Sequence, residues 1–177
     1  MDEIRAEVRR IQNVIEDYLR LARLPKPQRR PIELNKLLDQ KLVFLNGEFE
    51  QAGIKLRTNF DPALTTLNAD GEQLWQATLN LIRNGLDAMP GGGELTVSTW
   101  RGGEQFRLRV TDTGRGMTKE QVEQVFVPFF TTKSEGTGLG LTLVQQIATE
   151  HGGHVECESA PGRGSSLTIF LPVDKKS

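Results

Sequence analysis

The chain has 177 residues, 37% hydrophobic and 25% charged, which suffices for one well-buried core with an appendage and is too short for two. Lys and Arg (22) nearly balance Asp and Glu (23), so a general attraction to nucleic acid or to an anionic membrane is excluded and any positive potential must be local. No apolar run approaches the roughly 20 residues that span a bilayer, and the N-terminus is a charged helical pattern rather than a signal peptide; the chain reads as cytoplasmic, whether or not a parent protein is membrane-anchored.

Ile4, Val8, Ile11, Ile15, Tyr18 and Ala22 recur at alternating steps of four and three, the seam of a helix that packs on partner helices. Val14 and Leu21 widen the stripe towards a bundle, and Arg9, Arg10 and Glu16 occupy the other face. A helix packed on its own domain would read the same way. Against that stands "LPKPQRRP", residues 24 to 31, where Pro25, Pro27 and Pro31 stop the helix and make an extended polar connector. The expected organisation is an arm over 1–24 that projects, a linker over 25–31, and an α/β unit over 32–175.

Within that unit the pattern predicts a helix from about Glu33 to Ala52, then "IKLRTNF" as a strand. Asp70 is placed to cap a helix running to about Met89, where "PGGGE" ends it; Trp75, Leu79, Ile82, Leu86 and Met89 read as its core stripe. "ELTVSTW" and "EQFRLRVTD" form a hairpin through "RGG". Residues 113 to 137 are a long irregular excursion with one short helix, Thr118 to Val125, opened by a Thr118–Gln121 capping box. An excursion this long in a small domain points to a functional lid. A helix from Leu139 to about Glu150 and two strands, "HVECESA" and "SSLTIFLP", close the unit. The single Cys157 has no internal partner and is flanked by Glu156 and Glu158, which makes it a plain strand residue.

Four groups of residues carry candidate chemistry. Asn80, Asn84 and Asp87 share one face of the 70–89 helix; an Asn carbonyl oxygen suits Mg²⁺, although two Asn also suit a solvated face. Phe106, Leu108, Val110 and Asp112 point to one side of their strand, which sets a carboxylate at the end of a buried apolar row, where as a pure acceptor it fits an exocyclic amine. "TGRGM" follows, with Gly114 and Gly116 leaving room for a flat ring and Met117 as an adaptable apolar wall; an ordinary turn has the same composition. In the lid, Phe126, Phe129 and Phe130 surround Pro128, and Lys133 is a point charge able to reach a terminal phosphate. Last, "SEGTGLGLTLVQQI" sets Gly136, Gly138 and Gly140 before a helix. A P-loop would need Gly-Lys-Ser/Thr there and a dinucleotide fingerprint a glycine at 141, which is Leu; what remains is close backbone approach to an anion or a flexible helix cap.

The ordered set "NLIRN", "DTGRGM", "FVPFFTTK", "GTGLGL" resembles, box for box, the ATP-binding catalytic domain of bacterial sensor histidine kinases, in the wider group that includes gyrase, the MutL repair protein and the heat-shock chaperone ATPases (the Bergerat fold). The resemblance covers about residues 32 to 173. It implies an α/β (α+β) two-layer sandwich, a mixed, mostly antiparallel sheet of about five strands on three helices, with ATP and Mg²⁺ under the lid. Asn84 would hold Mg²⁺, Asn80 would contact phosphates or place the reacting groups, and Asp112 would accept from adenine N6. Gly114 and Gly116 would border the base with Met117, and Phe126 would belong to the lid's hydrophobic box. The Gly136, Thr137, Gly138, Leu139, Gly140 loop would wrap the phosphates, and Ser165 matches a position near the base. ATP-hydrolysing relatives carry a water-activating Glu where this chain has Asn80, so a phosphoryl group would await a protein acceptor.

The arm resembles the second helix of the family's dimerisation hairpin. The acceptor histidine belongs on the first helix, and the only histidines here, His151 and His154, sit in "EHGGHV", a helix-to-strand turn. The expectation is a fragment that keeps the catalytic half, does not autophosphorylate alone, and dimerises weakly or not at all. Asp87 stands at a nucleotide-site position where some members carry a phosphate-binding Lys, so Lys133, with Arg83 or Arg115, would supply the positive charge. Expected partners are ATP or ADP, the phosphoacceptor helix of the parent kinase and a response regulator, with no nucleic acid and no direct membrane contact. The rival classes are an anti-sigma-type serine kinase and a non-catalytic nucleotide-binding or dimerisation module.

Overall fold

The computed structural model describes residues 2–64, 66–133 and 136–173. Helix α1 (Asp2–Ala22) is followed by β1 (Arg30–Ile32), α2 (Leu34–Val43), α3 (Asn46–Gln51), β2 (Ile54–Phe60), β3 (Leu67–Ala69) and α4 (Gly71–Ala88). Then come β4 (Gly93–Gly102), β5 (Gln105–Asp112), α5 (Lys119–Gln124), α6 (Gly140–Glu150), β6 (His154–Ser159) and β7 (Ser165–Pro172). Five strands form one sheet in the order β2-β4-β5-β7-β6, with β2 parallel to β4 and every other pair antiparallel. Helices α2, α4 and α6 cover one face, and their Leu38, Leu81 and Ile147 meet Leu95, Leu108 and Ile169 of the sheet in a single core. This is the expected sandwich.

Two expectations about the helices need correction. The helix read as continuous from Glu33 to Ala52 breaks after Val43: Phe44 and Leu45 donate to carbonyls three residues back, at 3.3 and 3.0 Å, and a new helix starts at Asn46. The apolar stripe Leu34, Leu38, Leu42, Leu45, Phe49 stays buried across the break, so burial continues while the low helix propensity of Asn46-Gly47 weakens the backbone register. On α4, the residues buried are Gly71, Gln73, Leu74, Ala77, Thr78, Leu81, Ile82 and Gly85; of the expected stripe Ile82 and, at the C-cap, Met89 are buried, whereas Trp75, Leu79 and Leu86 are only partly buried at its margins. Gly85 lies on the buried face, where a Cβ would run into the Leu95 side chain, so its absence lets α4 approach β4 closely. The Asp70 cap is as expected, its carboxylate accepting from the N–H groups of Glu72 and Gln73. Both halves of the Thr118–Gln121 capping box are present on α5.

The connector is extended but tied down. Gln28 N–H donates to Asp70 Oδ2 at 2.9 Å, Gln73 Nε2 donates to the Pro25 carbonyl at 2.8 Å, and Arg29 donates to the Glu150 carbonyl at 2.8 Å. Its last residues form β1, antiparallel to β3, across the boundary expected at residue 32. Strands of three residues, one of them carrying a proline, leave no alternation to read. His151 is locked nearby: Nδ1–H donates to the Ile147 carbonyl at 2.8 Å and Nε2 accepts from the Asp70 N–H at 3.1 Å. Burial lowers its pKa, and it remains neutral and structural. On α1, Leu21 reaches the core, but Ile4, Val8, Ile11, Ile15 and Tyr18 are about half exposed or more.

Candidate functional site

One cavity of about 570 Å³ opens between the outward face of α4, the adjoining ends of β5 and β7, and the segment joining β5 to α6. That volume is suited to a nucleotide-sized ligand. Asp112 ends β5 opposite Ser165, the first residue of β7. It is 5% exposed; its Oδ1 accepts from Gly114 N–H at 2.8 Å, and the backbone and hydroxyl of Ser165 bond it as well. Burial outweighs these bonds and raises its pKa above the ordinary value. Ser165 Oγ lies 3.0 Å from Ser159 Oγ, which donates to the Gly164 carbonyl and accepts from Met117 N–H. These bonds hold the cavity floor rigidly around one carboxylate. Behind it, burial and then the charges of Asp112 and Glu158 push the Cys157 thiol up to about 11, so it stays protonated.

Helix periodicity brings Asn80, Asn84 and Asp87 to the cavity together with Arg83. Asn80 Nδ2 donates to the Gln76 carbonyl at 3.0 Å, while its Oδ1 lies 3.2 Å from where a Cβ on Gly140 would sit. Gly140 begins α6, which has no side-chain cap, so the first-turn N–H groups of that helix contribute their positive end to the same wall. Across from α4, the Lys133 ammonium donates to Asn84 Oδ1 at 2.8 Å and to Asp87 Oδ2 at 2.7 Å. An amide carbonyl and a carboxylate oxygen therefore converge on one cation. Hard oxygen donors of this kind, few in number, fit Mg²⁺ shared with phosphate oxygens.

Twelve of the residues expected at the site line the cavity: Asn80, Asn84, Asp87, Asp112, Gly116, Met117, Lys133, Gly136, Thr137, Gly138, Gly140 and Ser165. Arg83 and Arg115 are there too. Gly114, Phe126 and Leu139 are not among the lining residues. Gly114 faces the Ala88 carbonyl, which a Cβ would meet at 2.5 Å, and Leu139 is 1% exposed in the interior. Phe126 packs on the core, and its carbonyl accepts from Thr142 Oγ1. The space beside Gly116 belongs partly to the chain itself, for a Cβ there would meet the Ala160 carbonyl at 1.9 Å. Gly138, at φ +69°, lies against the Phe129 backbone, and Phe129, at φ +66°, donates its N–H to the Gly138 carbonyl. The glycine loop and the lid thus brace one another. Sequence reading missed Leu167, legible by period two from Ser165, and Glu16, which α1 brings to the cavity wall by tertiary placement alone.

Residues 69–175 match the family described as histidine kinase-, DNA gyrase B- and HSP90-like ATPase. The sensor histidine kinase ZraS of Klebsiella oxytoca is 37% identical over 169 residues, which cover 95% of this chain and 37% of that relative. The chain therefore spans little more than a third of that relative's length. Full-length ShkA, solved in complex with AMPPNP, superposes with a TM-score of 0.83 at 24% identity, covering 94% of this chain and 36% of that one. The histidine kinase ThkA, solved with the response regulator TrrA, gives 0.82 at 23% identity over 98% and 50% of the respective chains. No helix among the described residues is long and apolar enough to cross a membrane. With the four boxes, the sandwich and the cavity they border, the chain belongs to the histidine kinase-, DNA gyrase B- and HSP90-like ATPase family.

Proposed function

We propose that the cavity binds Mg-ATP and that the domain presents the γ-phosphoryl group to a histidine on another helix of the parent kinase, from which a response regulator would take it. The observation that carries this reading is a rigidly held, buried Asp112 in the same cavity as Asn80, Asn84 and Lys133. Asp112 accepts from the adenine amine, with Ser165 and Met117 beside the ring. Asn84 would hold Mg²⁺, which would neutralise phosphate charge when bound. Lys133, Arg83 and Arg115 add positive charge, and the uncapped start of α6 adds backbone N–H groups. Asn80 is an amide and cannot take a proton from water, so attack is left to a better-placed protein nucleophile. The domain's contribution is positioning and charge neutralisation.

The arm over 1–24 is assigned to the parent kinase's dimerisation bundle, consistent with its unpaired apolar stripe. By itself it is expected to dimerise weakly, and sedimentation showing a tight dimer at low micromolar concentration would refute that. Calorimetric titration of Mg-ADP and Mg-ATP tests the nucleotide site, with binding expected for the parent chain and weakened by about tenfold or more in Asp112→Asn. Phosphoryl transfer to a histidine-bearing helix added in trans should give an acid-labile product; an acid-stable one would identify a serine kinase instead.

A further inference from the structure

We propose that Asp87 is a positioning residue: with Asn84 it forms a two-oxygen pincer filled by the Lys133 ammonium, which latches the lid to α4 and which a metal-bound nucleotide must displace from Asn84. The metal half of this statement rests on the assignment of Asn84 to Mg²⁺. The geometry is specific. Asn84 and Asp87 lie three residues apart on one face of α4, and Nζ meets both at hydrogen-bond distance. Lys133 is held at its own base, where its N–H donates to Thr131 Oγ1 at 3.1 Å, so the bond fixes a lid segment rather than a free side chain. The side chain is 29% exposed and that of Asp87 56%, which leaves the pair open to exchange.

An ammonium and a divalent cation cannot occupy the same oxygen pair, because like charges at that separation repel. Lys133 must therefore release Asn84 when the metal arrives, and the nearest new anion is the phosphate chain it is needed to neutralise. Asp87 gives the resting lysine a defined place, and it makes metal-free nucleotide compete with an ion pair. The chain thus favours the metal complex over bare nucleotide through a lid contact and not by metal ligation alone.

The test is a cycle of Asp87→Asn, Lys133→Met and the double variant, each checked for the parental far-ultraviolet spectrum. In the nucleotide-free protein, amide hydrogen exchange over residues 126–133 should quicken by about fivefold in either single variant and no further in the double. Unchanged exchange in Asp87→Asn would overturn the latch. In calorimetry without metal, Asp87→Asn should bind ADP about fivefold more tightly, and that gain should vanish in the Lys133→Met background. A gain that survives Lys133→Met would mean simple repulsion between Asp87 and phosphate, overturning the positioning role. Failure of every variant to bind nucleotide would count against the proposed function, and the exchange data would still decide the latch.

Discussion

Helices α1 and α4 are of similar length and both amphipathic, yet one buries its stripe and the other displays it. Leu74, Ala77, Leu81 and Ile82 of α4 are at most 1% exposed, whereas Ile11 and Ile15 of α1 are each 51% exposed. The difference lies in what faces them. A sheet and two flanking helices cover α4, while α1 touches the body mainly through its last turns, where Leu21 packs on the core. Periodicity states that a helix has an apolar face; only the surroundings decide whether that face has a partner.

Substitutions sharpen this contrast, beginning with the core of α4. Leu81→Ala should cost about 2–5 kcal/mol in denaturant unfolding, because the cavity it leaves is walled by the sheet. If it costs under about 1 kcal/mol, α4 is less committed to the sheet than its burial indicates. Asp112→Asn, tested in Mg-ADP binding, should lose tenfold or more in affinity, about 1.5–3 kcal/mol for a charged acceptor, with much less effect on folding. Asp70→Ala should destabilise by about 1 kcal/mol, through the lost cap of α4 and its bond to Gln28 N–H.

Next comes a pH effect. His151 has a lowered folded pKa, so the unfolded chain binds the extra proton as pH falls below the ordinary value of 6.5. Stability should therefore decline as pH falls through 6.5 towards the folded pKa, and His151→Gln, though less stable at neutral pH, should lose that component of the slope. Asp112 acts in the opposite sense for folding, since its raised pKa makes acidification relieve a buried charge. Ile11→Ala, the smallest effect, should change unfolding by less than about 0.5 kcal/mol. A larger loss would reveal that the arm already has a partner in solution.

Legibility from the sequence followed the range of the forces involved. The strands β4, β5 and β6 were readable because period-two burial is local, as with Phe106, Leu108 and Val110, and β7, buried along most of its length, by its run of Leu167, Ile169, Phe170 and Leu171. The caps at Asp70 and Thr118 were readable because their donors lie two or three residues away. The short β1–β3 pair was not, because its two strands lie more than thirty residues apart and each is too brief to carry a pattern. Nor was the close approach of α4 to β4, where Gly85 meets the Leu95 side chain.

The site divides along the same line. Four ordered boxes were legible in the sequence because each is a short contiguous segment, and their resemblance to a known family implied the sandwich and most of the residues that line the cavity. Tertiary structure alone decided that Gly114 and Leu139 serve packing, that Glu16 reaches the cavity wall, and that Lys133 rests between Asn84 and Asp87. Lys133 and Asp87 stand 46 positions apart, and sequence spacing carries no information about a pairing that exists only after the lid folds back over α4.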